Sequence, residues 1–519
     1  MNFTEQHKQE IYGILHGFDR IILRGTVTNF FYPNGMMVYL SRTNTLLKDF
    51  TGLAEAQTKA LRAHLENLAA QSGVAIEYLN STNIDKDARA KEALSKNPGK
   101  TGLIAAFSII EVAPSFTVRS NGQSKKLEAR KEMRQHLHYY FYYMDPEFGW
   151  MHVRIQSWYP FSMQLYVNGK EWLKRQLDQN GIAYQEYRNS ITQVSDLAKA
   201  QALSDTLVDK NWQRFGDAFA RRLNLHLGTI EQAFGQGYKW SVHQSEYASD
   251  VLFRDQGCLE ELFPALVQQS ILFNGGEDVY TFFGRSLAPQ SRAQVTGSAK
   301  HFDPGFRVKH FLDKNSIKMY NKSSVLRIET TINNPKAFKI FKETKQKGQL
   351  TKAWVPMGKG VSNLYRFAQV AQQANLKYLQ SLAEVKPPST LPRKVEQISQ
   401  AAKVKSRNGL ERNVPGLNLL AKPTSLLLEA INDARFCLKP FSNATLRQVL
   451  IEKGVLQVNE QDPGNLKRLA NKVTRLLAKL KAHKLIVKIN KTFTYRLSAE
   501  GRKIVHNLLR FKKLELAYA

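Results

Sequence analysis

The chain has 519 residues, 43% hydrophobic and 10% aromatic, so it can build cores and is neither a disordered basic tail nor a low-complexity scaffold. Its 75 Lys and Arg against 44 Asp and Glu give a net charge of +31, well beyond what solubility needs, and point to a polyanionic partner such as nucleic acid. Cys258 and Cys437 lie far apart in sequence, unlike the close-spaced ligands of a structural zinc site, the N-terminus lacks a basic segment leading into an apolar one, and the apolar window Gly102–Ala113 is broken by Ser108 and Glu111; a cytoplasmic protein with no leader and no membrane partner is expected.

Residues 1–135 read as an α/β region. Asn2–His16 has helical spacing, Arg20–Phe31 is rich in Ile, Val, Thr and Phe as a strand is, and Leu53–Ser72 is a second helix stopped by Gly73. Val74–Leu79 reads as a strand, Asp85–Lys96 as a helix and Leu103–Val112 as a buried strand. Residues 136–383 form an aromatic-rich, basic α+β body. The block His138–Met144, the turn Asp145–Gly149, Trp150–Trp158 and Met163–Val167 predict three strands with a tight hairpin between the first two. Alternation puts Tyr139, Phe141 and Tyr143 on one face and Tyr140 and Tyr142 on the other, so at most one set is free to stack on bases. Helix Lys170–Gln179 and a strand Ala183–Tyr187 follow, and 194–285 reads as a mostly helical insert. Residues 300–360 return to strands, Ser316–Asn321 and Ser324–Asn333, with 14 Lys or Arg against 4 Asp or Glu. After a helix Val361–Ala383, residues 384–423 carry prolines and little periodicity and read as a basic linker.

Residues 424–519 carry the strongest pattern. The helix from about Asn465 to His483 sets Leu466, Leu469, Ala470, Val473, Leu476, Leu477 and Leu480 along one face, with Arg468, Asn471, Arg475 and Lys479 opposite. Two short strands, Leu485–Ile489 and Thr494–Leu497, follow, joined by Asn490-Lys491-Thr492. From Phe441 onward the chain carries 17 Lys or Arg against 5 Asp or Glu. This order, with the run Tyr495–Gly501, resembles the winged helix-turn-helix of bacterial regulators. The resemblance implies base contacts from Arg468, Asn471, Arg475 and Lys479 and phosphate contacts from Lys488, Lys491 and Arg496. A solvated helix face or a protein-docking module is the alternative.

Three clusters compete for chemistry. Alternation on Trp150–Trp158 aligns His152, Arg154, Gln156 and Trp158, a set suited to phosphate or, with a carboxylate, a divalent metal. A second pair of strands aligns Lys318, Tyr320 and Lys322, and Arg327, Glu329, Thr331 and Asn333, near Lys309-His310. That pair resembles the tyrosine-lysine and arginine-glutamate strands of rolling-circle replication initiators, which implies a metal-holding Glu329 and a nucleophilic Tyr320. The histidine pair of those initiators is missing: His152-Val153-Arg154 has only one. Third, Asp19 beside the first strand suits a two-metal nuclease, but no second acidic strand residue stands out to join it. Phosphate-binding P-loop, dinucleotide and serine-elbow motifs are absent.

Across its length the chain resembles a bacterial protein family with the multi-copy distribution of mobile-element genes. The blocks that carry the resemblance are Gly17–Arg20, Tyr139–Tyr143, Met151–Trp158 and Glu329–Pro335. The expected fold is α+β: a mixed or antiparallel sheet body, a helical middle segment and a C-terminal winged helix. The expected function is binding of DNA, or of structured RNA, through that winged helix. The alternatives are a non-catalytic transcriptional regulator and a metal-dependent nuclease or strand transferase. The enzyme would use His152, Gln156, Tyr320 and Glu329, with Glu329 and His152 holding Mg2+ or Mn2+, and Lys309, Lys318, Lys322 and Arg327 gripping phosphate.

Overall fold

In a computed structural model, the described residues are 2–273, 282–283, 295–302, 305–346, 349–383, 398–405, 411–418, 421–433 and, with short breaks, 435–509. Eleven strands build one sheet. In chain order they are β1 (Ile11–Thr26), β2 (Ile76–Leu79), β3 (Gly102–Ser120), β4 (Leu127–Asp145), β5 (Gly149–Gln156) and β6 (Met163–Asn168). A separate hairpin of β7 (Tyr184–Tyr187) and β8 (Ser190–Val194) intervenes, and the sheet resumes with β9 (Lys239–Phe253), β10 (Val295–Phe302), β11 (Gly305–Leu312), β12 (Asn315–Lys322) and β13 (Val325–Ile332). The spatial order is β10-β11-β12-β13-β9-β1-β6-β5-β4-β3-β2, and only β2 and β3 run parallel. The architecture is α+β, and among the described residues no helix is long and apolar enough to cross a membrane.

Period-two burial explains the sheet. On β5, Met151, Val153 and Ile155 enter the main core while His152 and Arg154 face the other way and are only half-buried. On β4, Tyr139, Phe141 and Tyr143 join the same core, and Tyr142 joins a smaller one with Phe107 and Trp150. The aromatic block is therefore packed on both faces, which leaves no open platform for stacking on bases. The core face is covered by helices including Phe50–Gln71, which turns Ala54, Leu61, Leu65 and Ala69 inward, and Leu364–Ser381. The hairpins β11–β12 and β12–β13 close through two-residue turns whose first residues, Asp313 and Ser323, have φ of 55° and 53°.

Several sequence expectations need correction. Only Phe3–Gln6 of the N-terminal segment is helical, and β1 begins at Ile11. The stretch 194–285 contains helices Leu197–Asp205, Trp212–Leu223 and Leu227–Phe234, but also β9, which lies in the middle of the sheet. One sheet and one core run from Phe3 to Ala383, across the boundary expected at residue 135.

Beyond the sheet stand two more hairpins, β14 (Lys339–Gln346) with β15 (Gln349–Pro356), and β16 (Ala402–Lys405) with β17 (Glu411–Val414). A second core then gathers helices Lys422–Ile431, Asn443–Glu452 and Asn465–Ala482 around a small sheet. That sheet runs β18 (Phe441–Ser442), β20 (Thr494–Leu497), β19 (Ile486–Lys488). Leu469, Val473, Leu477 and Leu480 are buried, but Leu466 is exposed because it sits in the first turn of its helix. Ile398 and Leu417, from the stretch read as linker, are buried in this core, so part of that stretch is structural.

Candidate active site

The second face of the sheet carries the charged residues, and its cover is uneven. At the Ile11 end of β1, helices Gly169–Gln179 and Leu197–Asp205 pack against it. Their approach is close: a Cβ on Gly169 would meet the Phe18 carbonyl oxygen at 2.3 Å. Asn168 caps the first of these helices, accepting from the Lys170 and Glu171 amides, and Lys170 Nζ reaches Asp250 at 2.9 Å. Exposure rises along β9 from Asp250, fully buried, to Glu246 at 8%, so the site lies where the cover ends.

Three adjacent strands meet there. Register opposes Arg20 on β1 to Glu246 on β9, Glu246 to Thr331 on β13, and Arg327 on β13 to Asp250 on β9. A β-bulge between Phe18 and Arg20 makes Asp19 the extra residue of β1; bulges re-aim a side chain in this way. Asp19, Glu246 and Glu329 each offer an oxygen, and these oxygens lie within 4.8 Å of one another.

Every member has a partner. Lys318 Nζ donates to Glu329 Oε1 at 2.5 Å and to Glu246 Oε1 at 3.3 Å, and the Tyr320 hydroxyl donates to Glu329 Oε2 at 2.5 Å. Arg20 donates to Glu246 at 2.6 Å. Arg327, fully buried, holds both Asp250 oxygens, at 2.6 and 2.8 Å, and Asp19 at 3.1 Å, and Asn189 donates to Asp19 at 2.5 Å. Burial pushes the Glu329 carboxyl up, but the Lys318 and Arg327 charges outweigh it and hold the group below the usual carboxylate range. Asp250 is held low in the same way: Arg327 and Lys170 overcome burial. Burial, reinforced by the Glu329 charge, raises the Tyr320 hydroxyl well above its ordinary value. Burial, with Arg327 nearby, brings the Lys322 ammonium down to about 8.

The cluster has two tiers. The deep one, Arg327–Asp250–Lys170, has side chains 0–2% exposed and is fixed. The outer one pairs Glu246 and Glu329 with Lys318, 12% exposed, and Glu246 with Arg20, 33% exposed, while Asp19 joins it through Arg327. An all-carboxylate donor set suits a hard divalent cation such as Mg2+ or Mn2+. Four carboxylates already face Arg20, Lys170, Lys318 and Arg327, so an ion enters only as Lys318 and Arg20 swing outward, and these two are the cations with room to do so.

The residues singled out from sequence divide as follows. Tyr320, Glu329, Lys318 and Arg327 come together. His152 lies on the same face but four strands from Glu329, about 19 Å at 4.8 Å per strand. It stacks on Tyr166 at 4.9 Å and 7°, and burial brings it down to about 4, so it is a neutral packed ring, outside the carboxylate cluster. Gln156 is buried and bonded to Ser115, Ser162 and the Pro114 carbonyl, a structural role. Of the residues expected to grip phosphate, Arg327 is fully buried on carboxylates and Lys322 is buried against the Tyr320 ring, so neither reaches a phosphate chain, and Lys318 meets one only on leaving Glu246 and Glu329. Lys309 lies over the Phe311 ring at 4.3 Å. In the C-terminal module Asn471, Arg475 and Lys488 are exposed, Lys479 and Arg496 are half-buried, and Arg468 pairs with Asp462. Lys491 lies outside the described residues.

Glu246 and Asp250 went unnoticed in the sequence. The available signal was two acids four residues apart in a stretch of mixed serines and apolar residues, a spacing that shares a face in a strand as well as in a helix. No protein-family model, curated protein or solved structure matches the chain.

Proposed function

We propose that the chain is a nucleic-acid-processing enzyme that cuts or transfers a phosphodiester with the help of a divalent cation. The observation that carries this is the convergence of Asp19, Glu246 and Glu329 from three neighbouring strands at the edge of a sheltered face. These carboxylates would hold the ion, which when bound supplies Lewis-acid polarisation of a phosphoryl oxygen. Lys318, displaced from Glu246 and Glu329 by the ion, would neutralise phosphate charge, and the Tyr320 hydroxyl, donating to Glu329, would hold that carboxylate in position. The basic helix Asn465–Ala482 with the β19–β20 hairpin supports a duplex-gripping role for the C-terminal module, as in winged helices.

The test is incubation of the full chain with labelled single- and double-stranded DNA and RNA, with and without Mg2+ or Mn2+. Metal-dependent cleavage or joining is expected, and Glu246→Gln should slow it at least about 100-fold, since losing a metal-holding carboxylate removes several kcal/mol of stabilisation. Full activity in folded Glu246→Gln and Glu329→Gln proteins would end the reading. The charge balance of the cluster favours a second one, a non-catalytic nucleic-acid-binding protein in which these ion pairs only set the fold; binding without turnover under every metal condition would select it.

A further inference from the structure

Beside the carboxylate cluster and at the sheet's margin stand cations that, among the described residues, pair with no carboxylate. Register lines up Ser241 on β9, Arg24 on β1, Gln164 on β6, Arg154 on β5 and Tyr140 on β4 in one row across five strands. Arg24 lies four residues along β1 from Arg20, about 13 Å at 3.3 Å per residue. It is half-buried, yet among the described residues its guanidinium makes no ion pair. Two of its neighbours, Lys131 and Lys359, share its sign, and a third, His243, is a neutral ring able to donate a hydrogen bond. Lys131 donates to the Phe30 and Phe31 carbonyls and Lys359 to the Asn333 carbonyl, while His243, exposed, sits in the β9 bulge beside the row.

We infer that Arg24, with Lys131, His243 and Lys359, forms a phosphate-binding track that leads one nucleic-acid strand to the carboxylate cluster. The inference rests on the proposed function for what lies at the end of the track, but not for the track itself. Arg24 and Lys131 are half-buried like charges, which cost free energy to assemble, and a fold keeps them where an anion repays that cost. The mutual strain is visible in each group. Burial and then the Arg154 charge lower Arg24, burial and then Arg24 lower Lys131, and burial followed by Arg24, Lys359 and Arg154 lowers His243. Burial, then Lys314, Lys336 and Arg24, lower Lys359. The acid nearest the row, Glu111, is already taken by Arg154 at 2.7 Å and by Lys86 and Tyr140. A phosphate chain matches this arrangement because it offers an anion at each nucleotide step and accepts from Arg and Lys without needing a particular base.

The test is binding of the full chain to a labelled single-stranded oligonucleotide in EDTA, where a metal-dependent enzyme cannot turn over. Arg24→Gln should weaken binding about five- to tenfold near 0.1 M salt and reduce the salt slope by nearly one ion, and Arg24→Lys should keep most of the affinity. The exposed Lys59→Gln, on helix Phe50–Gln71, should change neither. Thermal melting supplies the opposite sign: removing one of several repelling charges should leave the melting temperature of Arg24→Gln equal or higher, so weaker binding cannot be put down to unfolding. Unchanged affinity and slope in a folded Arg24→Gln protein would overturn the track, and so would a loss no larger than that of Lys59→Gln. A Glu246→Gln protein that still binds but no longer cuts leaves the track standing. Binding that depends on Arg24 with no cleavage in wild type sinks the enzyme reading alone.

Discussion

Arg327 shows most directly what the buried charges do. Its guanidinium is fully buried and spans Asp250 and Asp19, so it ties β13 to both β9 and β1. A buried pair adds little over an apolar equivalent, but removing one partner leaves an uncompensated charge. Arg327→Leu should therefore destabilise the body by about 3–5 kcal/mol in denaturant unfolding; a loss under about 0.5 kcal/mol would contradict the burial described. The same network sets the acid limb. Glu329 and Asp250 titrate lower in the fold than in the unfolded chain, so their contribution is fully present above the unfolded carboxyl range near about 4 and is lost as pH falls through the lower folded values. Melting temperature should fall steeply below about pH 4, and Glu329→Gln should flatten that slope while lowering stability at neutral pH.

At the scale of elements, strands with clean alternation were legible. Trp150–Trp158 showed its two faces because one is apolar and the other polar. Strand β9 was not, because Ser245, Glu246, Ser249 and Asp250 are buried beside Tyr247, Val251 and Leu252, and the local pattern carries no inside and outside. The bulge on β1 at Phe18/Arg20 similarly broke the period of the strand that carries Asp19. Glu329 and Tyr320 were legible as a pair since they lie on one hairpin. Their union with Asp19 and Glu246 was not, because contacts such as Arg20 with Glu246, 226 residues apart, and Arg327 with Asp19, 308 apart, leave no periodic trace. The C-terminal boundary makes the same point: Ile398 and Leu417 looked like linker, yet they are 5% and 2% exposed, and Pro415 accepts from His483 at 3.0 Å. A fragment starting at residue 398 should outlast one starting at 424 by about 3–6 kcal/mol, at about 1.5–3 kcal/mol per buried side chain. Equal stability of the two fragments in urea would remove residues 398–417 from that core.

For the whole molecule, the charge is unevenly placed. Residues 300–360 carry a net +10 and residues 441–519 a net +12, together 22 of the net +31, and the described residues of the two stretches contribute to two separate cores. Each phosphate neutralised releases condensed counterions, so the logarithm of affinity falls linearly with that of salt, with a slope set by the number of contacts. If both basic regions engage one duplex, their contacts add within a single complex, and tethering makes the second engagement effectively intramolecular. The salt slope of the full chain should then approach the combined slopes of a body fragment ending at residue 383 and a C-terminal fragment starting at 398. Its affinity should exceed that of either fragment by more than tenfold. With four or more contacts, the affinity of the full chain for duplex should drop about 100-fold between roughly 50 and 200 mM salt. A full-chain slope equal to that of one fragment would mean that a single region holds the duplex, and a flat response to salt would mean that the surplus charge serves something other than nucleic acid.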